Sequence, residues 1–222
     1  MIEAMHSIGL TDGMITSLAI TIILCGLSIF AGRRLQTVPS GFQNFAEWAV
    51  GSLYNFFEGI MGAKACRQYF PLIATLFIYI LFCNYAGLLP ASGHIPGLAA
   101  PTGSINCPMA MAVIVFVTMF AAGIREHHGL GYFKHYFKPF AFLFPLMVLE
   151  DLVKPVSLTL RLYGNIFGEH TVTGLFFDLV PIGLPVIMQA LSVLMGLIQA
   201  LVFSLLAAIY IKEAMPEEEE HL

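Results

Sequence analysis

Residues 150–170 read EDLVKPVSLTLRLYGNIFGEH. Glu150, Asp151, Lys154, Arg161, Glu169 and His170 can all ionise, and mostly apolar residues separate them. A charged side chain at the centre of a bilayer costs roughly 2.5–3.5 kcal/mol even on lenient insertion scales. Such residues persist where they face protein, water or an ion path. On a helix turning ~100° per residue, with Arg161 as origin, Lys154 falls at about +20°, Glu150 at about −20°, Ser157 at about −40° and Asn165 at about +40°. These five predict one narrow polar stripe. Glu169 lies at its margin, about +80° away, and His170 points to the opposite side. Pro155, Gly164 and Gly168 are positions where such a helix bends.

The rest of the chain sets this stripe in a membrane. Its 222 residues are 58% hydrophobic and only 11% charged, with a mean hydropathy of +0.83. An ordinary soluble domain carries about a quarter charged residues. The composition predicts an all-α polytopic membrane protein, one integral domain over residues 1–222, in contact with the lipid bilayer and with no nucleic-acid partner. The net charge of −4 is dominated by the run Glu217 to Glu220 in an acidic tail, residues 213–222. The cysteines, Cys25, Cys66, Cys83 and Cys107, show no CxxC pair and no zinc-ligand spacing, and read as small buried hydrophobes. No cofactor and no metal is expected.

Hydropathy and the Lys/Arg clusters predict about five crossings. Residues 14–32 form the first span, followed by Arg33 and Arg34 on the cytoplasmic side, so the N-terminus is expected outside. In residues 39–62, Phe42, Phe45, Trp48, Ala49, Leu53 and Phe56 recur at helical spacing. That segment is either an amphipathic helix lying in the interface or a linker helix packed on protein. Residues 70–89 form the second span, and 105–123 the third. The loop from Pro90 to Pro108 between them is rich in Pro, Gly and Ser and lacks Lys and Arg, as an external loop does. Residues 125–138 are basic and cytoplasmic. Glu126, His127, His128 and His135 lie there without the spacing of a metal motif. Residues 140–180 as one straight helix span ~60 Å, about twice the hydrocarbon thickness. They must tilt strongly, break at a proline or lie partly in the membrane plane. With residues 184–212 they are expected to form a long, strongly tilted hairpin whose C-terminus is cytoplasmic. Ser192, Gln199 and Tyr210 share one face of the second arm, with Gln189 nearby; Gln199 is either interhelical glue or functional.

A lone arginine in an apolar helix pairs with an acid of its own chain, binds an anionic substrate, senses voltage or faces a carboxylate on a partner. Voltage sensing needs an array of arginines. Arg161 stays protonated, while Glu and His exchange protons, and that combination suits a proton path with a charge barrier. PVSLTLRLYGNIFGEH resembles the arginine-bearing helix of the a subunit of F-type ATP synthases, and LIQALVFSLLAAIYI resembles its final helix. NYAGLLP and PTGSIN resemble its second span and the loop before the third.

The resemblance covers nearly the whole chain in order. It implies a non-catalytic stator subunit of the bacterial inner membrane, beside a rotating ring of c subunits, with b subunits of the peripheral stalk as further partners in the whole ATP synthase complex. Two offset half-channels carry protons to the ring. Arg161 matches the family's essential arginine, Asn165 the polar residue one turn on, and Gln199 the final-helix glutamine. His170, beside Glu169, falls where the family has a half-channel acid or histidine. Glu150, Asp151, Lys154, Ser157 and Ser192 complete the polar set. Ser192 stands where the family often has His or Glu, and Ser104 where Asp is common, so Glu169 and His170 are left as the titratable groups of the outer half-channel. Two other readings compete: a stand-alone ion-coupled transporter or channel using Glu150, Arg161 and Glu169, and a metalloenzyme built on the three loop histidines.

Overall fold

The computed structural model describes residues 12–32, 41–88, 99–126, 144–179 and 184–215. These form α1 (Asp12–Gly32), α2 (Phe42–Met61), α3 (Ala63–Gly87), a 3-10 turn (Pro101–Gly103), α4 (Asn106–Glu126), α5 (Phe144–Leu179) and α6 (Leu184–Glu213), with no strand among them. Four helices are long and apolar enough to cross a membrane: α1 over residues 12–30, α3, α4, and α6 over residues 186–213. The fifth long helix, α5, carries the charged stripe. It packs along α6, with Lys154 against Glu213 at one end and Val172 beside Met188 at the other, so the two run antiparallel. The chain is an all-α polytopic membrane protein. In lipid every backbone group must find its partner internally, and helices do this within a single segment.

The helix boundaries differ from hydropathy in one informative place. α3 begins at Ala63 rather than Phe70, directly after α2. A single residue, Gly62 at φ 82°, turns the chain between them. That left-handed conformation suits glycine. Lys64 and Arg67 therefore lie in the first turns of α3 and not in a loop. Hydropathy locates the lipid-facing part of a helix, whereas its start is set by the nearest breaker. In the loop before α4, Pro101 and Thr102 are buried in the bundle. The basic loop with His127, His128 and His135, residues 33–40 and the tail from residue 216 lie outside the described residues.

α5 does not break. It is continuous for 36 residues through Pro155, or about 54 Å at 1.5 Å per residue. The Thr159 hydroxyl donates to the Pro155 carbonyl at 2.8 Å, and Thr75 does the same for Pro71 in α3 at 2.6 Å. These are back-bonds from a hydroxyl to the carbonyl four residues earlier; the carbonyls that lose a donor to the prolines are those of Asp151 and Arg67, one turn before them.

One core layer joins Leu76 and Ile80 of α3, Met111 and Val115 of α4, Leu158 and Leu162 of α5, and Ala200, Phe203 and Ala207 of α6. A second layer joins Phe57 and Met61 of α2 to Cys66, Tyr69 and Ile73 of α3 and to Ala208 and Ile211 of α6. Gly196, Ala200, Ser204 and Ala207 put small residues along α6, which lets backbones approach closely. α2 packs on protein along one side only. Phe57 and Met61 are packed on protein, while Phe45, Trp48 and Phe56 of the periodic stripe are exposed. Lys64 pairs with Glu126 at 3.4 Å, and Lys212 donates to the Ile60 carbonyl at 2.8 Å. The ends of α2, α4 and α6 and the start of α3 thus meet at one basic end of the bundle.

Candidate functional site

The stripe on α5 straddles the border between packed and exposed faces. Leu158, Thr159, Leu162 and Ile166 are buried, whereas Leu149, Val153, Val156, Leu160 and Phe167 are exposed. The buried arc centres about +100° from Arg161. Arg161 therefore falls just outside it and is exposed, while Asn165 falls just inside and is half-buried. Glu150 is exposed with Arg161, and Ser157 is half-buried. The single shared face of the sequence reading is divided by packing.

The two cations of the stripe have opposite surroundings. Lys154 turns inward, its side chain only 14% exposed, with its ammonium 3.0 Å from Asp151, 3.1 Å from Glu213 and 3.9 Å from Glu150. It also lies 5.4 Å from the centroid of the Tyr210 ring, a distance at which a cation is attracted to the ring face. Glu150 and Asp151, the carboxylates that precede Arg161 on α5, thus lie against Lys154. Among the described residues Arg161 makes no ion pair and no hydrogen bond.

Beyond Arg161, away from the basic end, α5 and α6 separate around a cleft of about 260 Å³. Gly164, Asn165, Gly168, Glu169, Val172 and Thr173 line one wall; Met188, Leu191, Ser192 and Met195 line the other. A Cβ at Gly164 or Gly168 would meet nothing within 4 Å, so these glycines keep the wall open. The volume holds several waters at ~30 Å³ each. Two buried side-chain donors lack an acceptor among the described residues: Nδ2 of Asn165, which lines the cleft, and Nε2 of Gln199, two turns beyond Ser192 on α6. Gln199 is only 7% exposed. A buried unsatisfied donor costs about 1–3 kcal/mol, and in a native protein it calls for an explanation such as water or a partner. Gln199 Nε2 thus makes no interhelical hydrogen bond among the described residues. Ser192 is buried against the cleft. His170 lies in α5 next to Glu169, and its side chain is outside the described residues.

Sequence reasoning missed a second polar group, which holds α6 in place. Asn84 Nδ2 donates to the Gly196 carbonyl at 3.1 Å, and the Thr102 hydroxyl donates to Asn84 Oδ1 at 3.1 Å. Tyr85 donates to the Val193 carbonyl at 3.3 Å and Gln189 to the Leu88 carbonyl at 2.7 Å. Gly196 is needed there, because a Cβ would meet Asn84 Cβ at 3.3 Å. The available signals were Asn84 and Gln189, amides within apolar helices. Ser104, by contrast, bonds locally to the Pro101 carbonyl at 3.1 Å. Among the described residues no group of His, Cys, Asp and Glu is arranged to hold a metal. Cys66 and Cys83 are buried, Cys107 is half-buried and Cys25 is exposed.

These features define a class: a polytopic helical membrane protein with an arginine that makes no ion pair among the described residues, beside a polar cleft between two long antiparallel helices. Comparison with known proteins makes the assignment specific. The family model described as ATP synthase A chain matches residues 14–212, and the chain belongs to that family. It is 44% identical over 211 residues to ATP synthase subunit a of Gloeobacter violaceus, covering 94% of this chain and 85% of the relative. It is 43% identical over 221 residues to the subunit a of Geobacter sp. strain M21, covering 96% and 93%. The subunit a of Moorella thermoacetica is 43% identical over 196 residues, covering 88% and 86%.

Proposed function

We propose that this chain is the stator subunit of the membrane sector of a rotary ATP synthase, with Arg161 facing the carboxylates of a rotor ring of c subunits. The observation that carries the reading is Arg161 itself, an exposed cation on the outer face of α5 that makes no ion pair among the described residues. It lies one turn from the unsatisfied amide of Asn165. An isolated charge in lipid is costly, so a partner supplies the counter-charge. A ring carboxylate at 4 Å gains about 4 kcal/mol of attraction at an effective dielectric of about 20. The protonated acid carries no charge and gains far less. Arg161 thus attracts each carboxylate as it deprotonates and repels a proton travelling directly across. Protons then pass from one half-channel to the ring, ride with its rotation and leave by the other.

The cleft between α5 and α6 supports the outer half-channel, because it lies away from the basic end. By its Lys and Arg content the basic end is cytoplasmic, with the N-terminus outside and the C-terminus inside. Glu169 is the titratable group among the lining residues, with Asn165, Ser192 and Thr173 as polar company. Asn165, whose amide has no acceptor among the described residues, bonds to water there. His170 is the second titratable group of the path. The chain catalyses no bond chemistry itself. It works within the whole ATP synthase complex, with b subunits of the peripheral stalk as further neighbours.

The test is Arg161→Ala in the intact complex, assayed in inverted membrane vesicles. The complex assembles at normal content, while ATP-driven proton pumping and proton-driven ATP synthesis are lost. Near-normal coupled pumping in that variant rejects the assignment.

A further inference from the structure

Lys154 has no role in the mechanism above, yet it is heavily partnered. Asp151 and Glu150 belong to its own helix; Glu213 and Tyr210 lie in the last turns of α6. The Lys154–Glu213 pair at 3.1 Å therefore joins the two helices. Between that pair and the cleft their contact is an apolar layer: Leu158 and Leu162 share a core layer with Ala200, Phe203 and Ala207. In lipid such contacts resist sliding weakly, because the surrounding chains are as apolar as the interface. On its other side α6 is held to α3 by directional hydrogen bonds from Asn84, Tyr85 and Gln189.

We infer that Lys154 is a positioning residue, which pins the end of α6 to α5 through Glu213 and thereby sets the register that aligns Arg161 and Asn165 with Gln199. A slip of one residue moves a helix by about 1.5 Å, and misplacement by about 1 Å is enough to impair an oriented site. The cluster has a second effect. Asp151 and Glu150, about 15 Å along α5 from Arg161, are held by Lys154. The same carboxylates quench Lys154, so it does not compete for a ring carboxylate from two turns away.

The inference rests on the rotor-facing reading of Arg161, and its test separates the two. Lys154→Glu, Glu213→Lys, the double charge swap and Lys154→Arg are made in the full complex in inverted vesicles. Three quantities are measured: complex content, protons pumped per ATP hydrolysed, and oxidative cross-linking between cysteines placed at Gly168 and Met195 across the cleft. Each reversal is expected to lower pumping per ATP roughly fivefold, in the range of energetic coupling between contacting residues, and to change the cross-linking yield. The swap restores both, and Lys154→Arg retains both. Single reversals that pump normally, or a swap no better than the worse single variant, overturn the proposal. If a reversal blocks assembly, the milder Glu213→Gln decides: lowered pumping with altered cross-linking supports the proposal, and unchanged values overturn it. Arg161→Ala is run alongside. If that variant pumps normally, the underlying reading fails; if it blocks pumping while the swap rescues nothing, only the positioning role fails.

Discussion

Lys154 and Arg161 stand two turns apart on one helix with the same charge, and their surroundings make them different residues. Lys154 lies inside the hairpin among Asp151, Glu150 and Glu213. Arg161 faces outward without a partner among the described residues. The division follows from about 20° of helix rotation, too small for a sequence pattern to resolve. The same rotation sends Asn165 and Glu169 into the cleft rather than onto Arg161's face. Two predictions belong at this scale. Glu169→Gln is expected to slow proton flow through head-stripped membranes by roughly tenfold or more, since a positioned proton-transfer group contributes at least that much. Glu169→Asp retains most of the flow, and an unchanged rate in the Gln variant removes Glu169 from the path. Gly168→Val puts a branched side chain into the open cleft. It is expected to slow the same flow at normal complex content, measured by dye quenching in the same membranes.

Among the helices, α6 is the one whose placement decides the site, because Ser192, Gln199 and Glu213 all ride on it. Its hold on α3 is concentrated at Asn84, whose bond to Gly196 spans 112 residues of sequence. NYAGLLP and PTGSIN were legible as family motifs, but not the job they do together. A hydrogen bond across that separation leaves no periodic trace. Asn84→Leu leaves the Thr102 hydroxyl and a tight Gly196 contact without their partner. It is expected to cost about 1–3 kcal/mol, the penalty for a buried unsatisfied polar group. The measurement is a lower temperature of complex dissociation on heating, with Thr102→Ser close to wild type. Gly196→Val at the close approach to Asn84 is expected to be worse still, because Asn84 Cβ and the Tyr85 ring of α3 must move aside.

The molecule as a whole presents a broad apolar exterior. Ile22, Ile29 and Phe30 of α1, Leu149, Leu160 and Phe167 of α5, and Val186, Ile187 and Leu194 of α6 are all exposed. Arg161 interrupts this surface. Lipid covers most of such a surface; a partner with a negative charge suits the part around Arg161. The chain reconstituted alone in liposomes is accordingly expected to carry no coupled transport, whereas the complete complex does. Substrate-specific uptake by the purified chain would favour a stand-alone transporter instead. The sequence by itself determined an all-α membrane architecture, because lipid admits only internally bonded backbones and leaves helical runs of apolar residues as its mark. It also determined which side chains are out of place in lipid, above all Arg161, because their cost makes them stand out in composition. Only the tertiary structure decided which side of α5 faces inward. A helix surrounded by lipid on one side and apolar protein on the other is apolar all round, so its sequence carries no hydrophobic face to read. The partners of Lys154, the cleft beside Glu169 and the node at Asn84 all follow from that rotation and from contacts between distant segments.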